Sequence, residues 1–233
     1  MSNWVIALVP IAVFGIVAQT IALKGFEPFK SLGIFVITVI VALLLQAGYY
    51  LTRVKLESWV SPKRFIVGGS DALITAFSTA SSTATMPITF EVLIEKIGLR
   101  ESSASLGALV GSNFNNDGTA LYEAMSALFV SQLLGQNLTI VQQIVVMLTS
   151  IVASVGAAGI PEAGLVTMTL VFTSVGLPPQ YIAILITVDW FLDRCRTAIN
   201  VMGDMTVSAI IDGKTHKLVE EEEFLALDAE AKF

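Results

Sequence analysis

Thr75-Ala76-Phe77-Ser78-Thr79-Ala80-Ser81-Ser82-Thr83-Ala84-Thr85-Met86-Pro87-Ile88-Thr89 lies inside Phe65–Lys96, a stretch long enough to cross a membrane. A lipid-facing helix has no use for so dense a cluster of hydroxyls. The far end of the stretch, Glu95-Lys96 and Arg100-Glu101, is charged like the near end at Lys63-Arg64. Two half-helices meeting at a Ser/Thr tip, with both ends on one side, account for this pattern. Non-helical backbone at membrane depth persists only where protein or a water-filled cavity satisfies it. The stretch therefore reads as a re-entrant helical hairpin over 62–98, with a Ser-rich packing helix as the alternative.

Composition supplies the setting. Of 233 residues, 55% are apolar and 14% charged, with a mean hydropathy of +0.78, whereas a soluble domain carries roughly a quarter charged residues. Met1–Leu23, Ser31–Thr52, Ala124–Pro161 and Ala163–Val188 contain no Asp, Glu, Lys or Arg, and each is long enough for ~30 Å of hydrocarbon. These runs exclude a soluble enzyme, and no nucleophile–base pair is evident. The net charge of −6 owes much to the run Glu220–Glu223, which reads as a solvated end. No basic, aromatic-interleaved surface points to nucleic acid. A single cysteine, Cys195, and a single histidine, His216, exclude an internal disulfide and a His/Cys metal site. Met1–Leu23 lacks a basic leader and reads as a retained helix, not a cleaved signal.

Outward from the hydroxyl tip, plain and interrupted spans alternate. Trp4–Leu23 and Leu32–Leu51 read as ordinary helices, the second giving a span over 31–53. The loop over 53–64 carries Arg53, Lys55, Lys63 and Arg64, against Lys24 and Lys30 in the loop before, so it faces the cytoplasm. A helix over 102–135 is interrupted across Gly111–Thr119, where Asn115-Asn116-Asp117-Gly118 form turns between apolar flanks. A second hairpin over 138–176 has its Gly/Pro tip in Ser154–Gly164. The last helix, over 180–212, carries Asp189, Asp193, Arg194, Arg196 and Asp204. The division is a helix and outer loop over 1–30, an intramembrane core over 31–212 and an acidic cytoplasmic tail over 213–233. Interrupted segments in corresponding places of two halves mark a carrier site near the bilayer midplane. The fold class is all-α and multi-pass in the cell membrane, with two re-entrant hairpins and a broken helix.

Three constellations carry chemistry. Asp193, Arg196, Thr197, Asn200 and Asp204 fall on one helical stripe, which Asp189 extends. Burying these charges costs several kcal/mol each, on the order of the penalties known for buried ions, unless partners or ligands compensate. An internal ion-pair network is the alternative, though such a network has no need of Thr and Asn. Arg196 offers a planar fork for a carboxylate, and Asp193 suits an ammonium. Together they describe aspartate or glutamate, whose α-carboxylate could rest on the Ser81-Ser82-Thr83 tip. The second constellation, Asn113 and Asn115 to Thr119, supplies hard oxygen ligands suited to Na⁺. It opens like a calcium loop, but Ala124 stands where a bidentate Glu is required. A simple Asx turn is the plainer alternative. The third is Glu123, a lone carboxyl in an apolar stretch, which is either a proton carrier or a hydrogen-bonded structural group. Glu162, at the second tip, reads as facing solvent.

On these residues the chain resembles the dicarboxylate/amino acid:cation symporter family, which includes the excitatory amino-acid transporters. The matching motifs are Ala80–Pro87, Asn115–Glu123, Ala158–Gly164 and Asp193–Asp204. Val9–Phe14 resembles the start of the family's fifth helix. The resemblance implies an elevator core in a homotrimer, driven by two to three Na⁺ ions. Substrate would meet Ser81, Ser82, Thr119, Ile160, Gly164, Asp193, Arg196, Thr197 and Asn200. Asp193 would hold the amine, Arg196 the side-chain carboxylate and Asn200 the α-carboxylate. One sodium site would use carbonyls of Gly111, Asn115 and Asn200 with the Asp204 carboxylate. A second would use carbonyls of Asn113, Ser154, Val155 and Ala157, and a third the side chains of Asn115 and Asp117. The second hairpin would be the extracellular gate.

Two positions refine the subtype. Archaeal members carry an arginine at the first tip, where this chain has Ala80. Animal glutamate carriers place it on the last helix, as Arg194 stands here, and have a Glu where Glu123 stands. The resemblance thus implies H⁺ and K⁺ coupling through Glu123 and Arg194. Dicarboxylate members lack an acid at Asp193, so an amino acid is preferred to a C4-dicarboxylate, which is the alternative substrate. Asn116 replaces the family's methionine and bears on sodium affinity or ion choice. The resemblance begins at the fifth helix, so the preceding helices would be needed in cis or in trans. Without them, the chain would be a half-transporter that binds substrate without translocating it.

Overall fold

The structure is a computed structural model that describes residues 14–15, 18–19, 21–22, 25, 27–157 and 159–215. The helix expected over Trp4–Leu23 falls largely, and the acidic tail from residue 216 wholly, outside the described residues. Among the described residues every regular element is helical and none is a strand.

Helix α1 (Glu27–Glu57) contains the expected span and extends beyond it at both ends. Within its segment Lys30–Glu57 an 18-residue stretch reaches a mean hydropathy of 2.3, apolar enough to cross a membrane. Leu32, Phe35, Val39, Leu43, Tyr50 and Val54 are buried along one stripe, while Ile34, Ile37, Val41, Leu44 and Leu45 are exposed. A helix apolar on both sides but covered on one has its other side suited to hydrocarbon or to a partner.

The hydroxyl-rich stretch folds as a helical hairpin within its expected limits. Ser61 caps α2 (Pro62–Gly68) by accepting from the Arg64 N–H, and Gly69 passes the chain into α3 (Ser70–Thr79). Ala80, in the left-handed region at φ 52°, turns the chain, and α4 (Ser82–Val92) returns against α3. A wider turn, Leu93–Ile97, completes the return. The two ends lie side by side. A Cβ at Gly98 would sit 2.9 Å from the Arg64 guanidinium, and Lys96 pairs with Asp71. Asp212 ties them to the end of the chain's last helix, accepting from the Trp59 indole at 2.6 Å and from the Arg100 N–H and Nε at 3.1 Å.

The broken helix runs through α5 (Glu101–Ser105), a wide turn Leu106–Gly111 and the helical turn Ser112–Phe114. It breaks at Asn115–Asn116 and resumes as α6 (Asp117–Leu133). The interruption is narrower than Gly111–Thr119 because Gly111 keeps helical dihedrals and Gly118 and Thr119 already belong to α6. The second hairpin pairs α7 (Ile140–Val155), started by a Thr139/Gln142 capping box, with α8 (Ala163–Ser174). Its tip, Gly156–Glu162, is likewise shorter than Ser154–Gly164. After a single turn at Pro179–Tyr181, α9 (Ile182–Asp212) spans 31 residues, about 46 Å at helical rise.

Helix α9 is the axis, packed against α1, α3, α4, α5 and α6. Glycines admit this approach: a Cβ on Gly107 would fall 2.5 Å from the Asp204 carbonyl oxygen, and one on Gly118 2.8 Å from that of Arg196. Outside, Ile140, Val141, Ile144, Leu148, Val152, Val166 and Leu170 are exposed. Inside, Ser, Thr, Asp, Glu and Arg are buried, the reverse of a water-soluble domain. Gly107→Ala should therefore destabilise the protein by about 2 kcal/mol, since backbone atoms cannot yield to the new methyl. Gly48→Ala, with open space around it, should be neutral, and thermal unfolding in detergent compares the two.

Candidate functional site: buried charges beneath two hairpin tips

The stripe on α9 faces inward as its spacing predicts: Asp189, Asp193, Arg196, Thr197, Asn200 and Asp204 are all buried. Arg196 is fully enclosed. Its Nη1 donates to Asp189 Oδ1 and its Nη2 to Asp193 Oδ1, each at 2.7 Å. Its guanidinium lies 3.9 Å from the Tyr122 ring centroid, a cation–π contact. Nε has no partner among the described residues. Two carboxylates on one guanidinium leave a formal excess of one negative charge, in a place where an isolated charge is costly. The sequence singled out the Asp193–Arg196 pair for a ligand and set Asp189 on the same stripe, whereas Tyr122 of α6 completes a cage that spacing alone does not reveal. Arg194 points elsewhere, donating to the Trp190 carbonyl of its own helix.

The two hairpin tips meet directly above. Ser81 Oγ donates to the Gly159 carbonyl at 2.6 Å, the Thr83 N–H donates to the same oxygen at 3.2 Å, and Ser82 Oγ donates to the Ser112 carbonyl. The Glu162 side chain is exposed as expected. Its residue is held at φ 63°, and its N–H donates to Asp193 Oδ2 at 3.0 Å. Ala80, Ser82, Asn116, Thr119, Ala157, Gly159, Ile160, Ala163, Gly164, Asp193, Thr197 and Asn200 enclose a cavity of about 20 Å³, room for roughly one water molecule. Seven of the nine substrate residues expected from the resemblance line it; Ser81 caps the tip beside it and Arg196 underlies it. Gly164 is confined, since a Cβ there would lie 3.2 Å from Thr119 Cγ2 and 3.6 Å from Arg196 Nη2.

Below, the break in the helix meets α9 a second time. Asn115 Nδ2 donates to Asp204 Oδ1 at 2.9 Å and to the Asn200 carbonyl at 3.2 Å. Gly111 adjoins the same carboxylate, with room for no Cβ. Thus Gly111, Asn115, Asn200 and Asp204, the expected first sodium set, converge on one buried acid. Asp117 lies apart, accepting from the Tyr50 hydroxyl at 2.6 Å. Tyr50 and Asn115 nonetheless both abut Gly203, so Tyr50 of α1 belongs to this cluster, and nothing in its apolar span marked it. Of the second set, the turn holding Asn113 packs against α7, which carries Ser154 and Val155. The side chains of Asn113 and Val155 are exposed, so only backbone carbonyls are in question there. Glu123 is fully buried and accepts from the Thr167 hydroxyl of α8, while its Oε2 has no partner among the described residues.

Arg196→Leu should cost about 3–5 kcal/mol in ligand-free stability, because it leaves Asp189 and Asp193 buried and uncompensated. Adding Asp189→Asn to that variant should recover part of the loss, as chemical denaturation of the two proteins would reveal.

Residues 1–214 match the model of the sodium:dicarboxylate symporter family. The chain is 47% identical over 194 residues to excitatory amino acid transporter 4 of Mus musculus, covering 83% of this chain and 35% of that protein. It is 43% identical over 198 residues to excitatory amino acid transporter 2 of Homo sapiens, covering 84% and 34% respectively. With excitatory amino acid transporter 3 of Mus musculus it shares 38% identity over 224 residues, 93% of this chain and 42% of the relative. The chain thus spans about a third to two fifths of the length of these relatives. It belongs to the sodium:dicarboxylate symporter family.

Proposed function

We propose that this chain forms the transport core of a sodium-coupled symporter for acidic amino acids, glutamate or aspartate. The observation that carries the reading is the charge imbalance on α9. Asp189 and Asp193 outnumber Arg196, and the buried Asp204 carboxylate has only an amide for a partner among the described residues. Each acid in excess calls for a cation. An ammonium beside Asp193 and Na⁺ beside Asp204 meet both needs, and a substrate carboxylate complements the guanidinium. Ser82, Thr119, Gly164, Thr197 and Asn200 would surround this zwitterion. A C4-dicarboxylate brings no cation to Asp193, which favours an amino acid.

Both hairpins are re-entrant in this reading, with tips near the bilayer midplane and the Trp59–Arg100–Asp212 knot at the cytoplasmic surface. The C-terminus lies in the cytoplasm. The exposed apolar faces of α1 and α7 meet lipid or the scaffold of a homotrimer, against which the core moves as an elevator. A cavity of about 20 Å³ cannot admit an amino acid, so entry requires the tips to part. The second hairpin is the gate, hinged about Gly156–Glu162, and the bonds through Gly159 and Glu162 are those that open. Sodium sites use Gly111, Asn115, Asn200 and Asp204, then Asn113, Ser154, Val155 and Ala157, and lastly Asn115 with Asp117. Glu123, with one carboxylate oxygen unpartnered in a dry setting, is the proton carrier, and Arg194 serves potassium coupling.

In proteoliposomes, with the preceding helices supplied, an inward Na⁺ gradient should drive uptake of labelled aspartate, and Arg196→Ala, compared at matched amounts of reconstituted protein, should abolish it. Uptake indifferent to Na⁺, or unchanged in that variant, overturns the reading. Glu123→Gln should retain Na⁺-dependent exchange yet lose acidification of the lumen during net uptake, measured with an entrapped pH dye.

A further inference from the structure

Two exposed apolar runs end in unpaired bases on either side of Trp59. On α1, Ile34, Ile37, Val41 and Leu44 are exposed. Their stripe continues at i+3 and i+4 spacing through Gly48 and Thr52 to Lys55, each also exposed. Lys55 stands 21 residues beyond Ile34, about 32 Å at helical rise, which is close to the thickness of bilayer hydrocarbon. The stripe thus turns basic at the depth where headgroups begin. The first hairpin repeats the pattern in the opposite sense. Lys63 and Arg64 open α2 and are exposed, and exposed Ile66, Val67, Ile74 and Phe77 follow them toward the tip.

Trp59 gathers these bases. It lies in the short connection between α1 and α2, with the Arg64 guanidinium carbon 5.1 Å from its ring centroid. Its N–H donates to the Gly213 carbonyl at 3.0 Å, and exposed Lys214 follows directly. Lys214 is near enough to act on Glu57 at the end of α1. Among the described residues no acid stands within ion-pair distance of Lys55, Lys63, Arg64 or Lys214. Glu57 pairs with Arg53, Asp71 with Lys96 and Asp212 with Arg100. Exposed Glu91, Glu95 and Glu101, along the returning arm and just past it, pair with none of the four.

We propose that Lys55, Lys63, Arg64 and Lys214 form a docking surface for the headgroup of an anionic phospholipid, whose acyl chains lie along the apolar runs of α1 and of α2–α3. Arg64 offers a fork of donors to the phosphate, and the lysines act as point charges around it. A soluble anion would match the bases alone. Their place at the ends of exposed apolar runs calls for a partner that is anionic at its head and apolar behind it. The surface is separate from the buried site and indifferent to what that site binds.

The test reads Trp59 fluorescence in proteoliposomes, with the preceding helices supplied and every other tryptophan replaced by phenylalanine. Brominated phosphatidylglycerol and brominated phosphatidylcholine serve as quenchers at graded mole fractions, which gives the relative binding constant of the anionic lipid. That constant should exceed about ten, since each base near an anionic surface contributes about five-fold. K63Q should lower it about five-fold, K55Q/K63Q/R64Q/K214Q should bring it near one, and high salt should weaken it. K30Q, at the opposite end of α1, should leave it unchanged. A value near one in the otherwise unmutated protein overturns the proposal, as does a preference that survives in the quadruple variant. Absence of quenching by either lipid overturns it too, because Trp59 then lies away from the bilayer. A preference that appears only when the chain is cut behind Lys214 assigns the bases to the acidic run Glu220–Glu223 and likewise overturns it.

Discussion

Two carboxylates closing on one guanidinium govern what surrounds them. Arg196 cannot leave the interior without exposing Asp189 and Asp193 to each other, and neither acid can leave without stranding a buried cation. The effective penalty for an unpaired buried ion is several kcal/mol, on the order of half a domain's net stability. The surrounding helices are correspondingly specific. Tyr122 offers its ring face to the guanidinium, Gly164 keeps α8 at van der Waals distance from it, and Glu162 gives its N–H to Asp193. The remaining imbalance leaves more buried acids than buried bases in this interior, with Asp189, Asp193, Asp204 and Glu123 against Arg196.

The same interior is closed at its mouth by a few hydrogen bonds. Ser81 and Thr83 each donate to Gly159 across the tips, and Glu162 donates to Asp193 of α9, three hydrogen bonds in all. At about 1 kcal/mol net each, parting them costs roughly 3 kcal/mol, well under the ~8 kcal/mol of a micromolar ligand. The opposite end is built otherwise. Asp212 accepts from Trp59 and three times from Arg100, twice on its carboxylate and once on its carbonyl, joining both ends of the first hairpin to α9. The first hairpin is thus tied at its base as well as at its tip, whereas the second meets α6 midway along its length, where the Thr167 hydroxyl donates to Glu123.

Much of this was legible in the residues themselves. Hydrophobic run lengths and the lack of charge within them dictate helices in an apolar medium, because unsatisfied backbone has no other refuge there. Hydroxyl and Gly/Pro clusters inside those runs located both hairpins, and i, i+3 and i, i+4 spacing put Asp193, Arg196, Thr197, Asn200 and Asp204 on one face. These are local properties, carried by bond geometry and by the period of the helix. The widths of the break and of the second tip were overestimated. Composition cannot distinguish a glycine that continues a helix, such as Gly111, from one that ends it, such as Gly156.

What only the tertiary structure decided is which groups answer one another across elements. No spacing on α1 shows that Tyr50 meets Asp117, and none on α6 shows that Tyr122 lies under Arg196 or that Glu123 meets Thr167. Nor does the sequence show that the Gly118 N–H donates to Asn200, whose amide donates to Asn116 in turn. Such pairings are set by how closely whole helices approach, and that depends on every side chain between them. The sequence determined that a charged, hydroxylated stripe would lie buried among apolar helices, since the helical period allows nothing else. Which of its donors and acceptors remain open to a ligand was settled by packing, because a hydrogen bond belongs to two groups and the chain's order specifies only one at a time.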